Sequence, residues 1–232
     1  MKLVEQIGVR GANVFLIRGD EGCVLVDTGN PNSESLILKG LAERDVDPAA
    51  VRLILITHAH VDHFGSAAAL KARTGTPVAI HALDADALRQ GIHQPDSLEP
   101  TSKLLAAVMK VPFLRSAFGA HAATPLEPDV VIEESLPLDA YDVAGRVIHT
   151  PGHTHGSVSV LLDSGEAIVG DIVMDRLMGL ARAPGEPIVA WDLAQNRASV
   201  RALMSTYSPR TIYTGHGGPF SAAAVQAMVD RW

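Results

Sequence analysis

Apolar and polar positions change their period along the chain, and the changes outline its elements. LVEQIGV, ANVFLIR and GCVLVDTG (residues 3–9, 12–18 and 22–29) are short Val/Ile/Leu-rich runs divided by Gly-containing turns. They predict antiparallel strands along one edge of a sheet. Asn32 and Ser33 then offer N-cap groups ahead of Leu36, Ile37, Leu38 and Leu41, whose spacing predicts a helix ending before Asp45. The unbroken run Leu53-Ile54-Leu55-Ile56-Thr57 predicts a fully buried strand, followed by a small-residue helix (66–74) and another strand, PVAIH (77–81).

Beyond Asp84 the pattern turns helical, with DADALRQG, TSKLLAAVMK and VPFLRSAFG broken by Pro95, Pro100 and Pro112. This stretch, about 84–128, is expected to be a helical insertion within a single domain spanning 1–232. Leu104, Leu105, Val108, Met109, Val111, Phe113, Leu114 and Phe118 give it apolar material for a private core, a substrate-pocket wall, a lid or a dimer contact. Met109, Phe113 and Phe118 are the substrate contacts it nominates. Strands resume at DVVIEES, RVIHT, SVSVLLD and EAIVGD, with Asp163-Ser164-Gly165 predicting a hairpin turn. A helix over 192–206, a strand TIYTG and a helix FSAAAVQAMVD close the chain.

Composition narrows the class. With 47% hydrophobic and 19% charged residues, the chain has ordinary globular balance. A net charge of −7 leaves no basic patch of the kind nucleic-acid binding requires, so a small-molecule substrate is the expected partner, with a homodimer as an option for the apolar insertion. Glu5 and Arg10 interrupt the apolar opening, which therefore lacks the core of a signal peptide, and no run is long enough to span a membrane. A cytoplasmic location is expected. The single cysteine, Cys23, excludes an intramolecular disulfide and reads as a small buried hydrophobe.

The chemistry gathers in THAHVDHFG, where His58, His60, Asp62 and His63 form an H-x-H-x-D-H motif directly after the buried strand. Imidazole and carboxylate suit zinc, iron and manganese. Residues two apart in extended backbone face the same way, so His58 and His60 can share one ion while Asp62 and His63 turn toward a second. Two ions need further ligands, and His153 in HTPGHTHGS, Asp171 in IVGDIV and His216 in YTGHGGP stand in matching settings.

In these residues, and in their order, the chain resembles the metallo-β-lactamase superfamily of binuclear metal hydrolases. The likeness runs from NVFLI and VLVDTG through THAHVDH, TPGHTHGS, GD and TGHG, leaving only the insertion outside it. It implies an αββα sandwich of two mixed β-sheets flanked by helices. It further implies His58, His60 and His153 on a first metal, Asp62, His63 and His216 on a second, and Asp171 between them. Asp62 and Asp171 are the residues expected to serve catalysis as well as metal binding. Asp27 resembles the family's outer aspartate that orients a ligand imidazole, with a plain turn-forming role as the alternative. Gly29, Gly65, Gly152, Gly156, Gly170 and Gly215 flank the ligands and suit the tight bends there. His155 is read either as a substrate contact or as solvent-facing, and His81, His93, His121 and His149 as structural or surface residues.

The implied cofactor is a pair of divalent ions, zinc first, with manganese or iron as alternatives, supplying a bridging hydroxide at neutral pH. The implied reaction is hydrolysis of a small ester, thioester or lactone. Asp171, standing where one lactamase group has cysteine, weighs against a dedicated β-lactam hydrolase. HTPGHTHGS resembles glyoxalase II and related thioester and lactone hydrolases. No tyrosine follows Asp171 as it often does in quorum-quenching lactonases, and the flavodiiron relatives carry glutamate where this chain has His60. A mononuclear iron enzyme resembling persulfide dioxygenases, held by two histidines and an aspartate, is the competing class.

Overall fold

Side-chain alternation along the opening strands sets the layers of the molecule. In the computed structural model, which describes residues 2–9, 11–102, 106, 122–176 and 181–232, Val14 and Leu16 face one side of their strand and Phe15 and Ile17 the other, and all four are buried. A strand covered on both faces reads as a continuous apolar run rather than an alternating one.

The first sheet begins with an antiparallel ribbon of β1 (Val4–Ile7), β2 (Val14–Arg18) and β3 (Cys23–Val26). Helix α1 (Glu34–Ala42) follows, and β4 (Val51–Leu55) then pairs parallel with β3. Helices α2 (Val61–Phe64) and α3 (Ala67–Thr74) lead to β5 (Val78–His81), and α4 (Ala85–Gln90) precedes β6 (Val130–Ile132), both strands again parallel to their neighbours. The second sheet takes β7 (Ser135–Pro137), β8 (Gly145–His149), β9 (Val158–Leu162) and β10 (Glu166–Ile168) in antiparallel succession. A small hairpin of β11 (Met174–Asp175) and β12 (Pro184–Gly185) and helix α5 (Leu193–Ala202) come next. The sheet is then completed by β13 (Thr211–Tyr213), parallel to β10, and β14 (Phe220–Ser221), before helix α6 (Ala222–Val229). Both six-stranded sheets are thus mixed, in the orders β1-β2-β3-β4-β5-β6 and β14-β13-β10-β9-β8-β7.

Three apolar layers confirm the expected αββα sandwich. Between the sheets, Phe15, Ile17, Val24, Val26, Leu53 and Leu55 meet Val147, Val158, Val160 and Ile168. Outside the first sheet, Leu16, Leu25, Ile54 and Ile56 pack with Ile37, Leu41, Phe64 and Leu70 of its helices. Outside the second, Leu161, Val169 and Ile212 pack with Val200, Leu203, Val225 and Met228. Fully burying side chains of this size contributes about 1.5–3 kcal/mol each, which fixes the strands whose ends carry the site.

Several local expectations change. DVVIEES does not form one strand: β6 joins the first sheet and β7 the second, with Glu133-Glu134 carrying the chain between them. Alternation continues through both halves, so periodicity cannot register the change of sheet. Ser33 sits at the N-cap position of α1, but its side chain makes no cap hydrogen bond; its backbone N–H donates instead to Ser66 Oγ at 2.7 Å. The β11–β12 hairpin has too little hydrophobic pattern to be read in advance. The helix expected over 192–206 ends as regular α-helix at Ala202 and widens into a π-helical turn, Leu203–Tyr207.

Of the insertion, the described ends sit on the body. Ala123 N–H donates to Gly91 O and Leu126 N–H to Leu88 O, seating the returning chain against α4. Met109, Phe113 and Phe118, with Leu104, Leu105, Val108, Val111 and Leu114, lie outside the described residues, as does His121. Among the described residues, no helix is long and apolar enough to cross a membrane.

Candidate metal centre

Every sequence-nominated ligand follows the C-terminal end of a strand. Past β4 the chain leaves the sheet at Thr57, keeps His60 in extended backbone, and turns into α2, which carries Asp62 and His63. His153 follows β8, Asp171 follows β10, and His216 follows β13. Crevices at strand ends are where open α/β architectures place ligand sites. At Gly215 the backbone approaches the site itself, and an added Cβ would lie 2.2 Å from Asp171 Oδ1 and 2.5 Å from His63 Cε1. Only glycine lets this loop lie against the site.

The seven side chains converge in three overlapping groups: His58 with His60 and His153, His58 with His63 and Asp171, and Asp62 with His63 and His216. In the first, His153 Nε2 lies 3.1 Å from His58 Nε2 and 3.0 Å from His60 Nδ1. In the last, His216 Nε2 lies 3.1 Å from Asp62 Oδ2, while its Nδ1 lies 2.9 Å from Asp171 Oδ2. His63 Nε2 lies 3.4 Å from Asp171 Oδ2 and is buried with no hydrogen-bond partner among the described residues. Asp171 therefore stands where the groups meet.

The outward-facing nitrogens decide what the inward-facing ones are. His153 Nδ1 is 2.9 Å from Val189 O, which can only accept, so Nδ1 carries the proton and Nε2 presents a lone pair. His63 Nδ1 donates to Asp27 Oδ2 at 2.8 Å, so Nε2 is the nitrogen turned toward Asp171. Asp27 also accepts from Thr57 N–H at 2.8 Å and from Thr57 Oγ1, whose hydrogen is thereby used. Thr57 Oγ1, 3.0 Å from His58 Nδ1, is left as an acceptor, so His58 too turns an unprotonated Nε2 inward. Asp27 orients two of the imidazoles, His63 directly and His58 through Thr57. The only signal that Thr57 gives in the sequence is its place immediately before the motif.

Electrostatics divide the cluster in two, with His58, His60 and His153 on one side and His63 and His216 on the other. Burial, reinforced by neighbouring imidazoles, holds His58 and His60 well below the ordinary histidine pKa, and burial likewise lowers His153. Burial opposes charge on His63 as well, but the Asp171 and Asp27 carboxylates outweigh it and hold its pKa well above normal. Burial opposes charge on His216 in the same way, and Asp171 and Asp62 push it up to about 10. Burial disfavours the charged forms of Asp171 and Asp62, yet their histidine neighbours keep both below the usual carboxylate range. His58, His60 and His153, held neutral by burial, stand beside ionised Asp62 and Asp171. This is the donor chemistry of a divalent first-row metal, whose binding would displace the protons that the carboxylates favour on His63 and His216. Facing lone pairs 3.0 Å apart are repulsive unless a cation lies between them. The residues fit a metal centre.

Two further residues join the loops. Asp84 is fully buried and accepts from Ala59 N–H (2.8 Å), Thr154 Oγ1–H (2.7 Å) and Gly156 N–H (2.7 Å), tying the His58–His63 loop to the His153 loop. Ser97, also buried, lies 2.9 Å from His60 Nε2. Of the remaining histidines, His155 stacks on Trp191 at 3.9 Å and pairs with Asp96, His81 and His149 stack on each other, and His93 Nδ1 accepts from Val61 N–H.

The fold and this convergence of side chains define a metallo-hydrolase of the β-lactamase type, and the comparisons agree. The model of the metallo-beta-lactamase superfamily matches residues 7–216, and the chain belongs to that superfamily. It is 26% identical over 233 residues to the probable metallo-hydrolase YflN of Bacillus subtilis, covering 95% of this chain and 86% of that protein. It is 30% identical over 174 residues to the acyl-coenzyme A thioesterase MBLAC2 of Bos taurus, covering 71% of this chain and 59% of that one. Among solved structures it superposes on the metallo-β-lactamase MIM-1 from Novosphingobium pentaromativorans with a TM-score of 0.69 at 22% identity, covering 99% of this chain and 84% of that one. The last likeness is one of fold. Enzymes of this superfamily bind divalent metal ions, and the groups described above are where this chain can hold them.

Proposed function

We propose that this metallo-hydrolase binds two divalent ions, zinc by first preference, and hydrolyses a small thioester or a related ester or lactone. His58, His60 and His153 would hold one ion, Asp62, His63 and His216 the other, with Asp171 shared. The observation that carries this reading is the shared position of Asp171 beside His63 and His216, with the Nδ1 protons of His63 and His153 turned outward to Asp27 and Val189. When bound, such a pair supplies an activated water at neutral pH and polarises an acyl oxygen. The chain's own part is to prepare the donors. Asp27 and Thr57 fix the tautomers of His63 and His58, Val189 fixes that of His153, and Asp84 holds the two ligand loops in register.

The preference for a thioester rests on the likeness to the MBLAC2 acyl-coenzyme A thioesterases of cattle and human, each 30% identical over 174 residues. The test is a turnover panel of acyl-coenzyme A and simple S-acyl thioesters, lactones, a cephalosporin and glutathione persulfide. Thioesters should be turned over best. Oxygen uptake with the persulfide by protein holding one iron would instead identify a dioxygenase, and a dominant rate on the cephalosporin would identify a β-lactam hydrolase.

Asp171→Asn should lower metal content and turnover together, because the amide cannot replace a carboxylate that faces both His63 and His216. Elemental analysis and rate measurement on the same preparation check it; a variant with unchanged metal and rate would contradict the shared role.

A further inference from the structure

His60 differs from its neighbours in what lies behind it. His58 and His63 are backed by Asp27 and Thr57, from the body of the first sheet. His60 Nε2 is backed by Ser97 Oγ at 2.9 Å, from the 3-10 turn Pro95–Leu98 at the start of the insertion. Ser97 is fully buried, and its single hydroxyl hydrogen is directed to Gln94 O at 2.7 Å. Its oxygen is thus left to accept, and the proton of His60 is placed on Nε2. Nδ1 is then the unprotonated nitrogen, and it is the atom 3.0 Å from His153 Nε2.

The same segment also reaches His153. Glu99 O accepts from Ala190 N–H at 2.9 Å, Thr101 N–H donates to Ile188 O at 3.0 Å, Thr101 Oγ1–H donates to Pro187 O at 2.6 Å, and Pro100 and Val189 form an isolated antiparallel bridge. Val189 O is the acceptor that sets the tautomer of His153. Asp96 pairs with His155 at 2.7 Å, two residues beyond His153, and Gln94 Nε2–H donates to Leu83 O. One short tether therefore backs both histidines that face each other.

We propose that Ser97 is a positioning residue of the first metal site, acting through His60, and that the 97–101 segment paired with 187–190 sets the tautomers of His60 and His153 together. The start of the insertion is on this account part of the metal scaffold, whatever its remaining residues do. The proposal rests on the reading of His58, His60 and His153 as ligands, and its test reads metal binding and tautomer rather than turnover.

Loss of a group that orients a ligand imidazole commonly lowers metal affinity 10–100-fold. Zinc competition against a chromophoric chelator should therefore show Ser97→Ala weakened by about 10–100-fold in one of two binding steps, with the other unchanged and Ser97→Thr restoring much of the loss. Long-range proton–nitrogen spectra of the zinc-loaded wild-type protein supply a readout that needs no variant: His60 should carry its proton on Nε2. A wild-type His60 protonated on Nδ1, or a Ser97→Ala variant with both steps intact, overturns the proposal while leaving the metal centre standing. A wild-type protein that takes up no zinc overturns the metal reading itself and this proposal with it.

Discussion

Asp27 concentrates the residue-scale logic of the site. Its backbone is in the left-handed region at φ 62°, and its carboxylate accepts from three donors on Thr57 and His63. Asparagine tolerates that backbone, so Asp27→Asn changes the hydrogen bonding without imposing a new conformation. The amide must turn an N–H toward Thr57 or toward His63, so either Thr57, which orients His58, or His63 loses its anchor. Zinc affinity should fall about 10–100-fold, measured by chelator competition; an unchanged affinity would reduce Asp27 to a turn former. Cys23 has the opposite character. Burial pushes its thiol up to about 11, so the native protein should fail to react with a disulfide reagent at pH 8 and should react fully once unfolded.

The candidate ligands were legible because they stand in short, chemically loaded motifs: His58 to His63 within six residues, and His153, Asp171 and His216 each beside glycine at a strand end. Of the residues behind them, Asp27 was legible beside Thr28-Gly29, while Thr57, Ser97 and Asp84 were not. Ser97 meets His60 across 37 positions, and Asp84 meets Ala59 across 25, in a stretch whose prolines and helical spacing announced only a departure from the sheet pattern. A serine or aspartate acquires such a role from where the chain returns, which local pattern does not encode.

The loops that carry the candidate ligands are joined to one another by buried hydrogen bonds. Asp84 is the joint between the first motif and the His153 loop, with all its partners donors. Asp84→Asn places an amide N–H against at least one of them. Leaving buried groups unsatisfied costs about 1–3 kcal/mol, and urea unfolding of the metal-free variant should show a loss of that size. No change would mean that the joint is redundant.

Strand-level reading succeeded where alternation or a continuous apolar run met a turn signal, as at the β9–β10 hairpin built on Asp163-Ser164-Gly165. It failed at DVVIEES because both halves are genuine strands, and only the pairing of β6 with β5 and of β7 with β8 separates them.

Across the whole molecule, the two sheets share a single interior, and the histidine pair near the seam between them makes stability depend on pH. His81 stacks on His149 at 3.9 Å and donates to Glu133 O, where the chain crosses from one sheet to the other. Burial, aided by His149, lowers its pKa from 6.5 to about 4. A folded pKa below the unfolded one means that the unfolded chain binds the proton first as pH falls. The stabilising contribution is therefore complete above pH 6.5 and is lost progressively toward pH 4. Urea midpoints measured across this window should fall with pH in the wild type and fall less steeply in His81→Gln. Parallel slopes would assign the acid sensitivity elsewhere.

Metal binding adds a second global term, since ions held only by the folded chain stabilise it by mass action, about 2.7 kcal/mol at a hundredfold excess over Kd. Calorimetric titration of zinc into metal-stripped protein counts the ions that the proposed site shares across Asp171. Uptake of two equivalents per chain, with the Asp171→Asn variant impaired, is the predicted result; saturation at one equivalent in the wild type would contradict it.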